Sequence, residues 1–381
     1  MERWALGQYR YHGTDIDGVI LESGSLNVRG RDLNSLVGEM DFVAAILHLL
    51  EGEPPSQERR DLLDRFMTAC LRDGAAESPL QVVAAATSAG APAPAAVAAG
   101  MACSTTSALA QAGTALARAT GLARDLRVGL AVLAQIPRLY GCAVHGCDLA
   151  PNRTEGGWTG SALAHVLRRG PSATEVRVFD ALLVAWHAGF GYITPTVMVP
   201  RISIGTRVSI PVAMSAGFLA SGPSHTGAAE DAMVWLRDAV ERRHRAKTLR
   251  TTVSEALRTI REDECKIAGF GHPLFLKDPR PLHLRRVIAD LGLRGDALEV
   301  YDDAIEYVRE AFNLEPNIDL LSAAAYLALG VQEPAWGSGI GLIGRSASML
   351  AHVIERQSRP PFGVSSKTAR LFLHRIPTGW I

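Results

Sequence analysis

The sequence predicts a mainly α-helical protein. Apolar side chains recur at helical spacing along most of the chain, and strand-like alternation is confined to short pieces. Hydrophobic residues make up 48% and charged residues 20%, which supplies a sizeable core. The 381 residues have length for two or three domains, or for one large domain carrying a smaller one.

Taken in order, the first 30 residues carry the main strand signals, with 201–207 a second short candidate. Residues 33–50 have apolar positions at helical spacing and stop at Glu51-Gly52-Glu53-Pro54-Pro55, a helix end followed by a turn. A second helix opens at Ser56, a candidate cap, and buries Leu62, Leu63, Phe66 and Met67. Further helices are predicted over 94–119, 122–136, 159–168, 174–188, 208–220, 226–244, 249–261, 282–291, 296–312, 318–329 and 338–357. No fixed-period repeat and no low-complexity linker interrupts them. Residues 78–117 contain no charged side chain, a length that would span a bilayer. Ala dominates this stretch, however, and Pro79, Pro92 and Pro94 break it. Alanine transfers weakly into lipid but allows close helix approach, so packed buried helices are expected there and no membrane span.

The 39 basic and 39 acidic side chains cancel. A dedicated binder of nucleic acid or of an anionic membrane would need a basic excess, so neither partner is expected. Cys70, Cys103, Cys142, Cys147 and Cys265 are too few and scattered for a disulfide framework. The opening Met-Glu-Arg-Trp shows no basic segment followed by an apolar one, so a reduced, cytoplasmic protein is the expectation. Cys142 and Cys147 with His145 between them lack a second ligand pair for a metal, and none is expected. Gly269-x-Gly271 lacks the third glycine and the preceding strand of a dinucleotide fingerprint.

Gly and His concentrate at three helix boundaries: Ser221 to Gly227, Gly269 to Pro273, and Glu315 to Asp319. A polar side chain at such a boundary can project from a fixed end into a cleft. Turn chemistry is the ordinary explanation for any one of them; three in this order, each with a titratable group, weaken it.

Their order resembles the citrate synthase family. Gly222-Pro223-Ser224-His225-Thr226-Gly227-Ala228-Ala229 stands where that family has Gly-Pro-Leu-His-Gly-(Gly/Leu)-Ala-Asn. Gly269-Phe270-Gly271-His272, then Asp278-Pro279-Arg280, then Pro316-Asn317-Ile318-Asp319 follow in the family's order. Arg345 precedes Ala351-His352-Val353-Ile354-Glu355, and Arg359-Pro360 comes after. Nearer the N-terminus, Val28-Arg29-Gly30-Arg31-Asp32-Leu33 and Leu49-Leu50-Glu51-Gly52-Glu53-Pro54-Pro55 are also similar, so the resemblance covers about residues 25–362.

The resemblance implies a large helical domain from 1–225 and 336–381, with a smaller helical one, 226–335, inserted. It also implies a reaction: an acyl-CoA, acetyl-CoA by default, loses an α-proton, and its enol adds to a 2-oxo acid, oxaloacetate by default. Thioester hydrolysis follows. Coenzyme A enters as a substrate thioester, and no permanently bound cofactor is implied. Asp319 would be the base, with a helix cap as its ordinary reading. His225 would donate to the thioester oxygen and His272 to the ketone oxygen. Arg280, Arg345 and Arg359 would grip carboxylates, as a planar fork does well. Arg359 would reach the neighbouring subunit's site, implying a homodimer. Lys277 would meet CoA phosphates, beside Gly269 and Gly271, which let backbone approach a ligand.

The sequence departs from the family in four places. The family's Ala-Asp-His becomes Ala185-Trp186-His187, with a longer segment before Arg201, so either His187 keeps its hold on the 2-oxo acid or Gly191 takes its place. Ser224 and Ala228 flank His225 where Leu and Gly or Leu are usual, Pro273 follows His272, and Ser348-Met349 replaces Gly-Trp. These changes leave open other acyl-CoA and 2-oxo acid substrates, cleavage of citryl-CoA, and a non-catalytic CoA-ester or carboxylate binder.

Overall fold

The computed structural model describes residues 14–21, 23–73, 77–105, 114–147, 155–245 and 267–359. Three short antiparallel strands open the described chain: β1 (Asp17–Ile20), β2 (Ser25–Val28) and β3 (Arg31–Asp32), in the order β1-β2-β3. Asp17 pairs with Val28 and Ile20 with Ser25, which turns Leu26 and Val28 into the core.

The remaining elements are helical: α1 (Phe42–Glu51), α2 (Gln57–Asp73), α3 (Glu77–Ser88), α4 (Ala93–Ala102), α5 (Thr114–Ala119), α6 (Arg124–His145), α7 (Gly157–Leu167), α8 (Ala173–Trp186), α9 (Pro195–Ile204) and α10 (Ile210–Leu219). Then come α11 (Gly227–Arg245), α12 (Arg280–Asp290), α13 (Asp296–Phe312), α14 (Ile318–Ala328) and α15 (Trp336–Gln357).

Several expected boundaries move. The helix expected over 33–50 is a single 3-10 turn, Leu33–Ser35, followed by α1. Gly38 breaks the run at φ +89°, and the Asp41 carboxylate restarts it by accepting from the Ala44 N–H at 2.9 Å. The strand candidate at 201–207 is the end of α9 and a turn. Pro195 begins that helix, and Val197 and Ile204 are buried at helical spacing, which overrides the β preference of its branched side chains. Helix 122–136 runs on through Pro137 to His145, and 94–119 is divided between α4 and α5. The helix expected over 249–261 lies outside the described residues.

The uncharged stretch forms α3 and α4, which pack on each other and on α6. Among the described residues no single helix is long and apolar enough to cross a membrane. At the end of α6 the chain reverses at Gly146, bringing Cys142 and Cys147 to a Cα separation of 4.2 Å, with both sulfurs 3.7 Å from the Leu80 carbonyl.

Helix α15 runs through the middle and packs against α1, α6, α8, α9, α10 and α11. Small residues permit this: a Cβ on Gly344 would stand 2.8 Å from the Leu183 carbonyl oxygen in α8. Close approach to α8 places Arg345 beside Trp186, deep in the protein.

Candidate active site

The N-terminal end of α14 gathers the site. Residues 269–271 pair with 315–317 like a minimal antiparallel ladder. Gly271 N–H donates to the Glu315 carbonyl at 2.8 Å, and Asn317 N–H to that of Gly269 at 2.9 Å. The Asn317 side chain also donates to the Gly271 carbonyl at 2.8 Å. Gly269 has φ +91°, and an added Cβ would lie 2.6 Å from the Leu320 Cβ, so both conformation and space require glycine. The loop carrying His272 is thereby fixed against the turn carrying Asp319.

Asn317 caps α14, accepting the Asp319 N–H at 3.0 Å. The Asp319 carboxylate is therefore not the cap. Asp278 fastens the same corner: it accepts the Ile318 N–H at 2.9 Å and grips Arg280 through two bonds of 2.8 Å. Both partners of this pair are buried.

The electrostatics follow from burial. Removal from water pushes the Asp319 carboxyl up to about 6; Asp278 adds to the rise, while Arg280 and Arg345 oppose it. His272 is pushed down to about 4, chiefly by burial, with Arg280 and Arg345 nearby. Its Nδ1 accepts from the N–H groups of Leu274 and Phe275 at 3.1 and 3.2 Å. A neutral ring with Nδ1 accepting carries its proton on Nε2, so His272 offers one fixed N–H donor. Burial pushes Arg345 down to about 9, with Arg280 adding to it, and its Nη1 is buried without a hydrogen-bond partner. A charged guanidinium with an unused donor is what a carboxylate ligand would complete. His225 lies in the turn before α11, half-buried, 3.4 Å from the Ala220 carbonyl and within the field of Arg345.

Arg345 is thus the common neighbour of His225, His272, Asp319 and Arg280. Three expected residues stand differently. His187 ends α8 fully buried, its Nδ1 donating to the Val184 carbonyl at 2.5 Å. Its Nε2 has no partner, and burial pushes the ring down to about 4. In this arrangement His187 is neutral and has no N–H to offer a carboxylate. Arg359 pairs with Glu355 of its own chain at 3.5 Å. Lys277 is exposed, 3.8 Å from Glu315. Two other residues went unread in the sequence: Phe190, whose ring centre lies 5.1 Å from the guanidinium carbons of both Arg280 and Arg345, and Asp17 behind it. Nothing in local periodicity marks either one.

The protein is mainly helical, and the buried Arg280 and Arg345 gather with the half-buried Asp319, His225 and His272 around a central helix. The family profile described as "Citrate synthase, C-terminal domain" matches residues 7–362, and the chain belongs to the citrate synthase family. Citrate synthase 2 of Bacillus subtilis is 29% identical over 192 residues, 49% of this chain and 48% of that protein. The citrate synthase of Haloferax volcanii is 30% identical over 192 residues, 49% of this chain and 48% of that protein. These matches span about half the length of the curated relatives. Among solved structures, a Thermoplasma acidophilum citrate synthase in ternary complex with carboxymethyl coenzyme A and oxaloacetate shares the fold. Its TM-score is 0.73 at 16% identity, over 92% of this chain and 91% of that one. The Pyrobaculum aerophilum citrate synthase gives 0.69 at 19% identity, over 91% and 87%.

Proposed function

We propose that this protein condenses an acyl-CoA thioester with a 2-oxo acid and hydrolyses the resulting thioester, with acetyl-CoA and oxaloacetate as the default pair. Asp319 takes the α-proton; with its carboxyl near 6 it is mostly ionised at neutral pH yet basic enough to accept a proton. His225 stands at the thioester oxygen. His272 donates its Nε2–H to the ketone oxygen as that oxygen becomes an alkoxide. Arg345 takes the acid's carboxylate, and Arg280, already half-balanced by Asp278, adds positive field. Lys277 meets the CoA phosphates as the thioester lies along Gly269 and Gly271.

Segment 226–335 forms the smaller domain and closes on the remainder, excluding water from the enol. The protein works as a cytoplasmic homodimer, with Arg359 reaching the partner's site. The relative crystallised with a CoA analogue and oxaloacetate supports this substrate class.

The observation that carries the reading is the unpartnered, buried Arg345 Nη1 among a raised Asp319 carboxyl and a His272 with a fixed donor. A panel of acyl-CoAs and 2-oxo acids, followed by thiol release and by α-proton exchange, tests it. Release with one pair is expected. Neither release nor exchange with any pair overturns the reading, while consumption of citryl-CoA without synthesis reassigns the direction.

A further inference from the structure

Beside the site, the backbone adopts a conformation that its sequence resists. Phe190, Gly191 and Tyr192 have φ of 58°, 64° and 66°, three consecutive left-handed residues of which two are bulky aromatics. Side chains with a Cβ adopt this region at a cost, greatest for bulky residues, and such strain collects at functional sites.

The surroundings here are identifiable. Asp17, from β1, accepts the Gly189 N–H at 2.5 Å on one oxygen and the Gly191 N–H at 2.7 Å on the other. Arg201 donates to His352 Nδ1 at 3.1 Å, which places the His352 proton on Nε2, 3.3 Å from Asp17. The Arg201 guanidinium also covers the Tyr192 ring at 4.6 Å, and that ring lies steeply inclined to His352, at 73° and 6.1 Å between centres. Asp17 is wholly buried, and against the cost of burial these bonds hold its carboxyl below the usual range. The opposite side of the turn carries Phe190. Its ring is 5.1 Å from the guanidinium carbons of both Arg280 and Arg345, and it stacks on His272 at 6.1 Å and 17°.

We propose that Phe190 is a positioning residue of the 2-oxo acid pocket, setting Arg345, Arg280 and His272 against one aromatic ring, and that Asp17 acts through it by holding the left-handed turn. The inference rests on the function proposed above and deepens it. The face of an aromatic ring carries negative potential, so Phe190 attracts both guanidiniums from 5.1 Å, closer than the Trp186 ring they also face at 5.8 and 5.9 Å, and adds to the Asp278 pairing of Arg280 in offsetting their mutual repulsion. Two buried cations and a neutral imidazole are then in place before an acid arrives, and binding loses less to reorganisation. The turn occupies the segment where the family's acid-binding histidine is expected, with His187 directed to the backbone instead.

Calorimetric titration of oxaloacetate and pyruvate into the full chain, with acetyl-CoA titrated separately, tests this. Phe190→Leu, which keeps an apolar side chain without a ring face, should raise the Kd of whichever acid the wild type binds by about 10-fold. Acetyl-CoA affinity should stay within about 2-fold. Asp17→Asn should do the same, and adding it to Phe190→Leu should cost little more, as expected when one residue acts through the other. Should Asp17→Asn fail to fold, Gly191→Ala, which strains the same turn, takes its place. Unchanged acid affinity in folded Phe190→Leu overturns the inference and leaves the proposed function standing. Additive effects of the two changes, or unchanged acid affinity in folded Gly191→Ala, overturn the part assigned to Asp17. If wild type binds and turns over no acid, both fall.

Discussion

Asp319 shows how one residue's environment sets its chemistry. A carboxyl raised to about 6 gives acid-exchange activity an acid limb: exchange of the acyl-CoA α-proton should rise with pH through about 6 and level off above it. Asp319→Asn should lower that exchange by roughly 10²–10⁴, measured by deuterium incorporation, and full exchange in the variant would remove Asp319 from the role. The fold should survive. Between pH 3.8 and about 6 the folded protein holds a proton that the unfolded chain has lost, so stability falls as pH rises, and Asn removes that loss. His187 gives the contrasting case. With its N–H committed to Val184, His187→Ala should leave 2-oxo acid affinity unchanged while lowering Tm through the cavity it opens. A weakened acid Kd at unchanged Tm would restore the contact that family resemblance implies.

Elements meet through single polar groups, and the half-buried Asp180 is one. Its Oδ1 accepts from the Phe42 N–H at the start of α1 and from Thr159 in α7, both at 2.9 Å, while Asp180 itself belongs to α8. Burial pushes its carboxyl up to about 7, so folding favours the protonated form and stability is lost as pH rises from 3.8 to about 7. Asp180→Asn keeps the acceptor without the charge. Thermal unfolding at pH 8 should show the variant more stable by roughly 2–4 kcal/mol, with the gain vanishing below pH 4. A variant less stable at pH 8 would show that the carboxylate is needed. Gly269→Ala should act between elements too, forcing the loop off Leu320 and reducing both Tm and turnover, with a stability loss of about 1–3 kcal/mol.

At the scale of the whole molecule, Arg359 bears on the proposed dimer. Arg359 is the last described residue and is held by Glu355, which also pairs with Arg201. If it completes a partner's site, Arg359→Ala and Asp319→Asn proteins should each be inactive alone. After subunit exchange, mixed dimers should regain one working site, visible as recovered thiol release. No recovery despite demonstrated exchange would assign Arg359 to its own chain's Glu355. The same network leads from Glu355 through Arg201 and His352 to Asp17, linking the end of α15 to the turn that carries Phe190.

Much of this protein was legible in its sequence, because helices announce themselves locally. Apolar side chains every three or four residues mark α13, and caps such as Ser172 and Asn317 mark the starts of α8 and α14. The ordered motifs around His225, His272, Arg280 and Asp319 were legible too, since short range along the chain determines which residues stand at a helix boundary, and Arg345 was legible from the apolar residues around it in one helix. Tertiary structure alone decided the rest. The segment 195–204 is helical because neighbours bury Val197 and Ile204, not because its residues prefer it. His187 faced a carbonyl where resemblance placed a substrate. Phe190 reached two arginines from different helices only because Asp17, far away in sequence, holds a strained turn. Local propensity acts between near neighbours, whereas protonation, tautomer and strain depend on which distant groups share a buried volume, and that is decided only when the chain folds.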